Sequence, residues 1–280
     1  MVKCGYVAIV GRANAGKSTL VNTLVGEKVA IVSAKPQTTR DNIIGILNGE
    51  GYQAVLVDTP GVHHSKNKLD KFMMKNVRSA ISGVDFIVYL IDGSHECDSE
   101  EKDYIAKLKS GETPVLVVKT KADKKQVCAE GADLSISSLT GQGIEELRDK
   151  IVDSLSMREG YLFDTDYYTD KSVKFLIAEQ IREECLNLFK QEVPHGIAIE
   201  ITRFDEKDTL TIIEADIVCE AERHKGIIIG KGGKNLKLIG QSAREFAENL
   251  LDTKVLLKVF VRVEEGWRDN PNKLKGLGFN

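Results

Sequence analysis

No apolar run in this chain is long enough to cross a bilayer. The longest, Phe86 to Ile91, has six residues, against the ~20 that a spanning helix needs. Cysteines are few and odd in number: Cys4, Cys97, Cys128, Cys185 and Cys219, with no Cys-x-x-Cys spacing. That pattern argues against a disulfide framework and a thiolate zinc site, and suits small core residues. The first residues lead straight into an apolar strand, with no basic region, apolar core or small-residue cleavage site, so no secretory signal is read and a cytoplasmic location is expected. Neither sign of charge dominates, the net being −3, and charge as a whole gives no sign of nucleic acid. Internal repeats and low-complexity tracts are also missing, which sets aside solenoids and disordered tails.

What is present is a chain of 280 residues, 42% apolar and 29% charged, with room for two domains at roughly 100–200 residues each. Up to about Ser156, short apolar strands alternate with amphipathic helices. The strands are expected at Tyr6 to Val10, Asn42 to Leu47, Gln53 to Val57, Asp85 to Ile91, Val115 to Val118 and Asp133 to Ile136. The helices are expected at Lys17 to Val25, Leu69 to Ile81, Ser99 to Lys109 and Ile144 to Leu155. Such alternation predicts an α/β fold, a mostly parallel sheet with helices on both faces, whose ligands bind beyond the carboxyl ends of the strands. The pattern then fails in a Tyr- and Asp-rich stretch read as a linker. Beyond it the order is α-β-β-α-α-β, an α+β domain. The expected boundaries are 1–160, a linker at 161–171, and 172–280.

Residues Gly11 to Thr19 read GRANAGKST, a G-x-x-x-x-G-K-[ST] loop between an apolar strand and a helix. Glycines at Gly11 and Gly16 free the backbone to turn its N–H groups onto anionic oxygens, so nucleotide phosphates are the expected ligand. Lys17 is placed for the β- and γ-phosphates, Ser18 for a magnesium ion, Thr19 for the α-phosphate side, with Asn14 and Ala15 in the loop. Four further elements follow in the order that a guanine-nucleotide site needs. Thr38-Thr39-Arg40 offers a threonine hydroxyl to the metal. Asp58-Thr59-Pro60-Gly61, at a strand end, places a carboxylate for magnesium and a glycine N–H for the γ-phosphate. Thr120-Lys121-Ala122-Asp123 places a carboxylate to accept from the Watson–Crick edge of guanine, with the Lys121 stem along the base. Ser137-Ser138-Leu139 offers a backbone N–H to the guanine oxygen.

In the second domain Gly230, Lys231, Gly232 and Gly233 sit between two helices. Around them Arg223, Lys225, Lys231, Lys234, Lys237 and Arg244 form a basic run without one acidic residue. A G-x-x-G turn in an α-β-β-α-α-β context is the backbone clamp of a KH domain for single-stranded RNA, and the basic run reads as its phosphate track. Glu264 to Asn280, with Trp267, is expected to cap this fold, and Lys273 and Lys275 are added as exposed cations near RNA.

With GRANAGKST, KPQTTRDNIIGI, DTPGVH, HKGIIIGKGGKNLKLIG and VEEGWRDNP in hand, the chain resembles the GTPase superfamily and, over essentially its whole length, the Era family of ribosome-assembly GTPases. The resemblance implies a P-loop GTPase domain followed by a type II KH domain, with GTP or GDP and Mg2+ as cofactors. It selects Thr39 as the metal-binding threonine, so Ser18, Thr39 and Asp58 form the metal set. It implies the 3′ end of 16S rRNA and the 30S subunit as partners, with Gly230, Lys231, Gly232, Gly233, Lys225, Lys234 and Lys237 on the RNA. The expected state is a monomer that pairs transiently through its GTPase domain, with peripheral association on the cytoplasmic membrane face. Two motifs depart from the family. Thr120 stands where Asn usually opens the guanine motif, and Ala13 and Ala15 replace Pro and Val in the phosphate loop. Val62 follows Gly61 where Ras-like enzymes carry a water-orienting glutamine, which predicts a slow intrinsic rate. Relatives with an apolar residue there are implied to use K+, held partly by the residue at Asn14. The residues expected to act in hydrolysis are thus Lys17, Thr39, Gly61 and Asn14, while His63 and His64 are expected to face solvent. The rival reading is an RNA-binding scaffold whose nucleotide site does not turn over. A GTPase of transfer-RNA modification would need domains not seen here.

Overall fold

A computed structural model describes residues 1–63, 65–128 and 131–279. The chain divides into two compact units, one of Met1–His64 and Met73–Asp170, the other of Ser65–Phe72 and Lys171–Asn280.

The first unit carries β1 (Val2–Gly11), α1 (Lys17–Val25), β2 (Ile43–Gly49), β3 (Tyr52–Asp58), most of α2 (Lys68–Ile81), β4 (Phe86–Asp92), α3 (Ser99–Lys109), β5 (Val115–Thr120), β6 (Leu134–Ser135), α4 (Ile144–Ser154) and β7 (Ser156–Arg158). The sheet order is β2-β3-β1-β4-β5-β6. All of these pairings are parallel except β2 on β3, and the short β7 adds antiparallel to the start of β1. Strands buried on both faces read as unbroken apolar runs, as in Val7 to Val10, where no residue is exposed at all. Strand ends line up through register: Ile9 lies beside Asp58, Gly11 beside Leu90, Asp92 beside Thr120 and Lys119 beside Ser135. Register therefore delivers the phosphate loop, Asp58, Asp92 and the Thr120 motif to one edge of the sheet.

Helix α1 has nine residues, shorter than the ~12–15 at which an isolated helix becomes even marginal. It depends on packing, through buried Leu20, Val21 and Leu24. Glycines in left-handed conformation bound it, Gly16 at φ 92° and Gly26 at φ 84°, which is why the periodicity placed both ends correctly.

The stretch read as a linker is pinned for most of its length. Gln53 is fully buried, and its Oε1 accepts from the N–H groups of Leu162 and Phe163 at 2.8 and 2.9 Å. Ile46 N–H donates to the Tyr168 carbonyl at 2.9 Å. This segment covers the free edge of β2, an edge that would otherwise expose unpaired backbone groups, and it groups with the first unit.

The second unit contains α5 (Val173–Leu188), β8 (Ala198–Lys207), β9 (Leu210–Cys219), α6 (Glu222–Ile229), α7 (Lys234–Leu251), β10 (Lys254–Val263) and α8 (Pro271–Gly276). Its sheet order is β10-β9-β8, with β8 antiparallel and β10 parallel to the central β9. The parallel pair requires a crossover, and the α6–α7 pair with its glycine turn supplies it. Helix faces bury Ile177, Ile181, Ile228, Ile239 and Ala243 against Ile213, Ala215 and Ile217 of β9. Trp267 is wholly buried, donates from Nε1 to the Gly196 carbonyl at 3.0 Å and stacks on Phe279, so the C-terminal segment does cap this fold. Among the described residues no helix is long and apolar enough to cross a membrane.

Candidate functional site

A cavity of about 330 Å³ opens at the carboxyl end of the first sheet, lined among others by Asn14, Gly16, Lys17, Ser18, Thr19, Thr39, Gly61 and Lys121. Lys17 is 6% exposed, and its ammonium donates to the carbonyls of Gly11 and Arg12 at 3.1 and 2.8 Å. Burial lowers its pKa to about 8, and Asp58 opposes the shift. Ser18 Oγ donates to Asp58 Oδ2 at 2.6 Å and lies 2.8 Å from Thr39 Oγ1, which is itself 3.3 Å from the same carboxylate oxygen. Burial pushes Asp58 up to about 6, against the bonds from Ser18 and Thr39 and the charge of Lys17. Its other oxygen, Oδ1, is buried with no hydrogen-bond partner. Two hydroxyls beside a buried carboxylate with one unsatisfied oxygen make three hard oxygen donors, which fit a magnesium ion that keeps part of its water shell.

Thr59 Oγ1 donates to the Ile9 carbonyl at 2.9 Å, tying the end of β3 to β1; its side chain points into the scaffold. Gly61 is packed so closely that an added Cβ would lie 2.7 Å from the Ala13 nitrogen and 2.6 Å from its Cα. Asn14 has φ 63° and donates from Nδ2 to the Ala34 carbonyl at 2.9 Å, linking the phosphate loop to the segment that carries Thr39. His63 departs from the expected solvent-facing role. Its Nδ1 lies 2.7 Å from the Gly61 carbonyl and its Nε2 3.4 Å from Gln37 Nε2. His64 lies outside the described residues.

The Thr120 motif and the Ser137 loop come together through side chains. Ser137 Oγ donates to Asp123 Oδ1 at 2.5 Å. Ser137's own N–H is taken by the Gln142 carbonyl at 2.9 Å, so its contribution is to orient the carboxylate. The N–H groups of Ser138 and Leu139 have no partner among the described residues. Lys121, at φ 58°, places Nζ 2.5 Å from Asp92 Oδ2. Asp92 was not singled out from sequence, although its place at the end of β4 puts it where ligands of such sheets bind. Motif spacing does not reveal it, because β4 ends at Asp92 and runs into Gly93-Ser94 without a recognisable pattern.

In the second unit the turn has Gly230 at φ 74°, Gly232 at φ 62° and Gly233 at φ 76°, a conformation that side-chain-bearing residues rarely adopt. Gly233 precedes α7 without a side-chain cap; the N–H of Lys234 is taken by the Lys231 carbonyl, and the N–H groups that follow it at the helix start have no capping side chain. Asn235, which was also missed, donates from Nδ2 to the Ile227 carbonyl at 2.9 Å and fixes the turn from inside. Lys231, Lys234 and Lys237 are exposed, whereas Lys225 is half-buried. Beside the turn a groove of about 430 Å³ runs between α7 and β10, with Lys237 and Arg244 on one wall and Leu257 and Val259 on the other. These walls offer charge for phosphates and an apolar surface for bases. Lys273 is instead held by Glu264 at 2.6 Å.

A family model described as 50S ribosome-binding GTPase matches residues 6–121, and one for the KH domain matches residues 192–268. The chain is similar to the GTPase Era of Clostridium acetobutylicum, 43% identical over 100% of this chain and 98% of that protein. It is 41% identical to the GTPase Era of Caldanaerobacter subterraneus over 99% and 98%. Among solved structures, Era in complex with MgGDPNP and nucleotides 1506–1542 of 16S ribosomal RNA superposes with a TM-score of 0.93 at 34% identity, covering 100% of this chain and 99% of that one. A single-substitution variant of Aquifex aeolicus Era bound to GDP and AlF4− gives the same TM-score and identity, covering 99% of each chain. Both halves match along their full length, and the phosphate loop, its oxygen cluster and the glycine turn all stand in place: the chain belongs to the Era family of GTPases.

Proposed function

We propose that this protein is a switch that hydrolyses GTP slowly on its own and clamps single-stranded RNA at the 3′ end of 16S rRNA during assembly of the 30S subunit. The convergence of Ser18, Thr39 and Asp58 beside a buried Lys17 carries the nucleotide half of this reading. Ser18 and Thr39 would hold the magnesium ion directly and Asp58 through water. An ion held there would supply positive charge to the phosphates. Lys17 exchanges its carbonyl partners for phosphate oxygens, and the N–H of Gly61 meets the γ-phosphate. Asp123, oriented by Ser137, reads the base. With Val62 after Gly61, no side chain of the glutamine type orients the attacking water, and the rate rests on positioning and charge.

The RNA half is supported by the glycine turn with its exposed Lys231, Lys234 and Lys237, and by the full-length match to a relative solved with 16S RNA. The description naming the 50S particle belongs to a model that matches only residues 6–121, so the choice of subunit follows the RNA. Multiple-turnover phosphate release, with and without an RNA of that 3′ sequence, tests the whole reading. Several phosphates per chain and a faster rate with RNA are expected. A single turnover in both conditions would favour a scaffold with GTP as a structural ligand.

Gly61→Ala should slow hydrolysis on the order of a hundredfold, because its Cβ would collide with Ala13 backbone and displace the γ-phosphate contact. GDP affinity, which needs no such contact, should hardly change. Calorimetry with GDP alongside phosphate release separates the two effects.

On the same reading Asn14, oriented by its bond to Ala34, would help to hold a K+ ion that adds positive charge to the site. Hydrolysis should then be roughly tenfold faster in K+ than in Na+ at matched ionic strength. Asn14→Ala should erase the difference while GDP binding persists, and equal rates of the parent in the two salts would dismiss the ion.

A further inference from the structure

Position 120 is where this chain departs from its family's guanine motif, and the structure shows where the threonine hydroxyl goes. Thr120 is 4% exposed. Its hydroxyl donates toward two main-chain carbonyls, Ala15 of the phosphate loop at 2.9 Å and Ile91 of β4 at 3.2 Å. A threonine hydroxyl carries a single proton, and both neighbours accept. That proton is engaged inside the protein, leaving the side chain only lone pairs to turn elsewhere.

The imidazole edge of guanine presents N7 and O6, both acceptors. A base whose Watson–Crick edge lies at Asp123, and whose phosphates lie on residues 11–18, has that edge on the side of position 120. Lone pairs there meet lone pairs. An asparagine amide differs in number of donors: its NH2 has two protons, one for the Ala15 carbonyl and one for N7.

Resting on the guanine-site reading above, we propose that this protein reads guanine without contacting N7, and that Thr120 serves as a positioning residue that ties the base-reading motif to the phosphate loop. The nucleotide class it accepts is therefore broader than guanine alone. It includes purines that keep the guanine Watson–Crick edge and O6 but carry carbon in place of N7.

The test compares GDP with 7-deaza-GDP by calorimetry on the full chain, in the parent and in Thr120→Asn and Thr120→Val. In the parent the two dissociation constants should agree within about twofold, there being no hydrogen bond to lose. Thr120→Asn should bind GDP about fivefold better than 7-deaza-GDP, the effect of one net hydrogen bond. Thr120→Val keeps the shape and removes the proton. It should weaken both nucleotides by the same factor, roughly tenfold, and thermal melting of each variant confirms that it is folded. A parent that discriminates fivefold or more against the deaza nucleotide would overturn the proposal. So would a folded Thr120→Asn that treats the two alike, since N7 would then be out of reach of position 120. If the parent binds 7-deaza-GDP well and GDP equally well, both readings stand; if it binds neither, the guanine site itself falls and this inference with it.

Discussion

Asp123→Asn should weaken GTP binding on the order of a hundredfold and bring xanthosine triphosphate up to comparable or better affinity. The carboxylate is placed by Ser137, whose hydroxyl donates to Oδ1, and that bond, with neighbouring charges and N–H groups, holds the Asp123 pKa below its ordinary value. In the variant, Ser137 donates equally well to an amide oxygen, so the amide nitrogen takes the place of the second carboxylate oxygen. It presents donors where guanine also presents donors. Xanthine offers a carbonyl acceptor there, and the mismatch becomes a match. Competition between the two triphosphates for one fluorescent nucleotide reads the exchange, and an unchanged preference for GTP would remove base recognition from this residue. Thr120 and Lys121 leave this outcome alone, since their bonds run to Ala15, Ile91 and Asp92.

Replacing Lys231 and Gly232 together by Asp should lower the affinity for single-stranded RNA by at least about a hundredfold and reduce the salt slope by roughly one to two. Lys231 is exposed and free of ion pairs among the described residues. An added Cβ at Gly232 meets nothing within 4 Å, so both carboxylates fit sterically, and Asp tolerates the left-handed conformation better than most residues. They would face the phosphates that the turn and the start of α7 are arranged to meet. GTP binding should survive. Filter binding at several salt concentrations gives affinity and slope together, and parental values of both would place the RNA elsewhere on the protein.

How much of this was legible depends on the range of the interaction concerned. Helices α1 and α3 stand where their periodicity and flanking residues put them, and the second unit keeps the expected α-β-β-α-α-β order. The three residues of β7 escaped notice because a strand that short has no readable period. The stretch beyond Glu159 looked like a tether since its Tyr and Asp residues follow no pattern, yet it is held by buried Gln53 and by the β2 residues Ile46 and Asn48, more than a hundred positions earlier.

From the order of residues alone came the chemistry of the phosphate loop, the carboxylate after β3, the base-reading motif and the glycine clamp, because each needs particular residue types at fixed short spacing on a strand end or helix start. What the tertiary structure decided is which proton goes where. Thr120 donates to Ala15 across 105 positions, Ser137 uses its hydroxyl on Asp123 while its N–H closes its own loop, and Asp92 takes Lys121. A hydrogen bond requires its donor and acceptor within about 3 Å, and only the packed sheet, through the register of its strands, sets distances between residues so far apart in the chain.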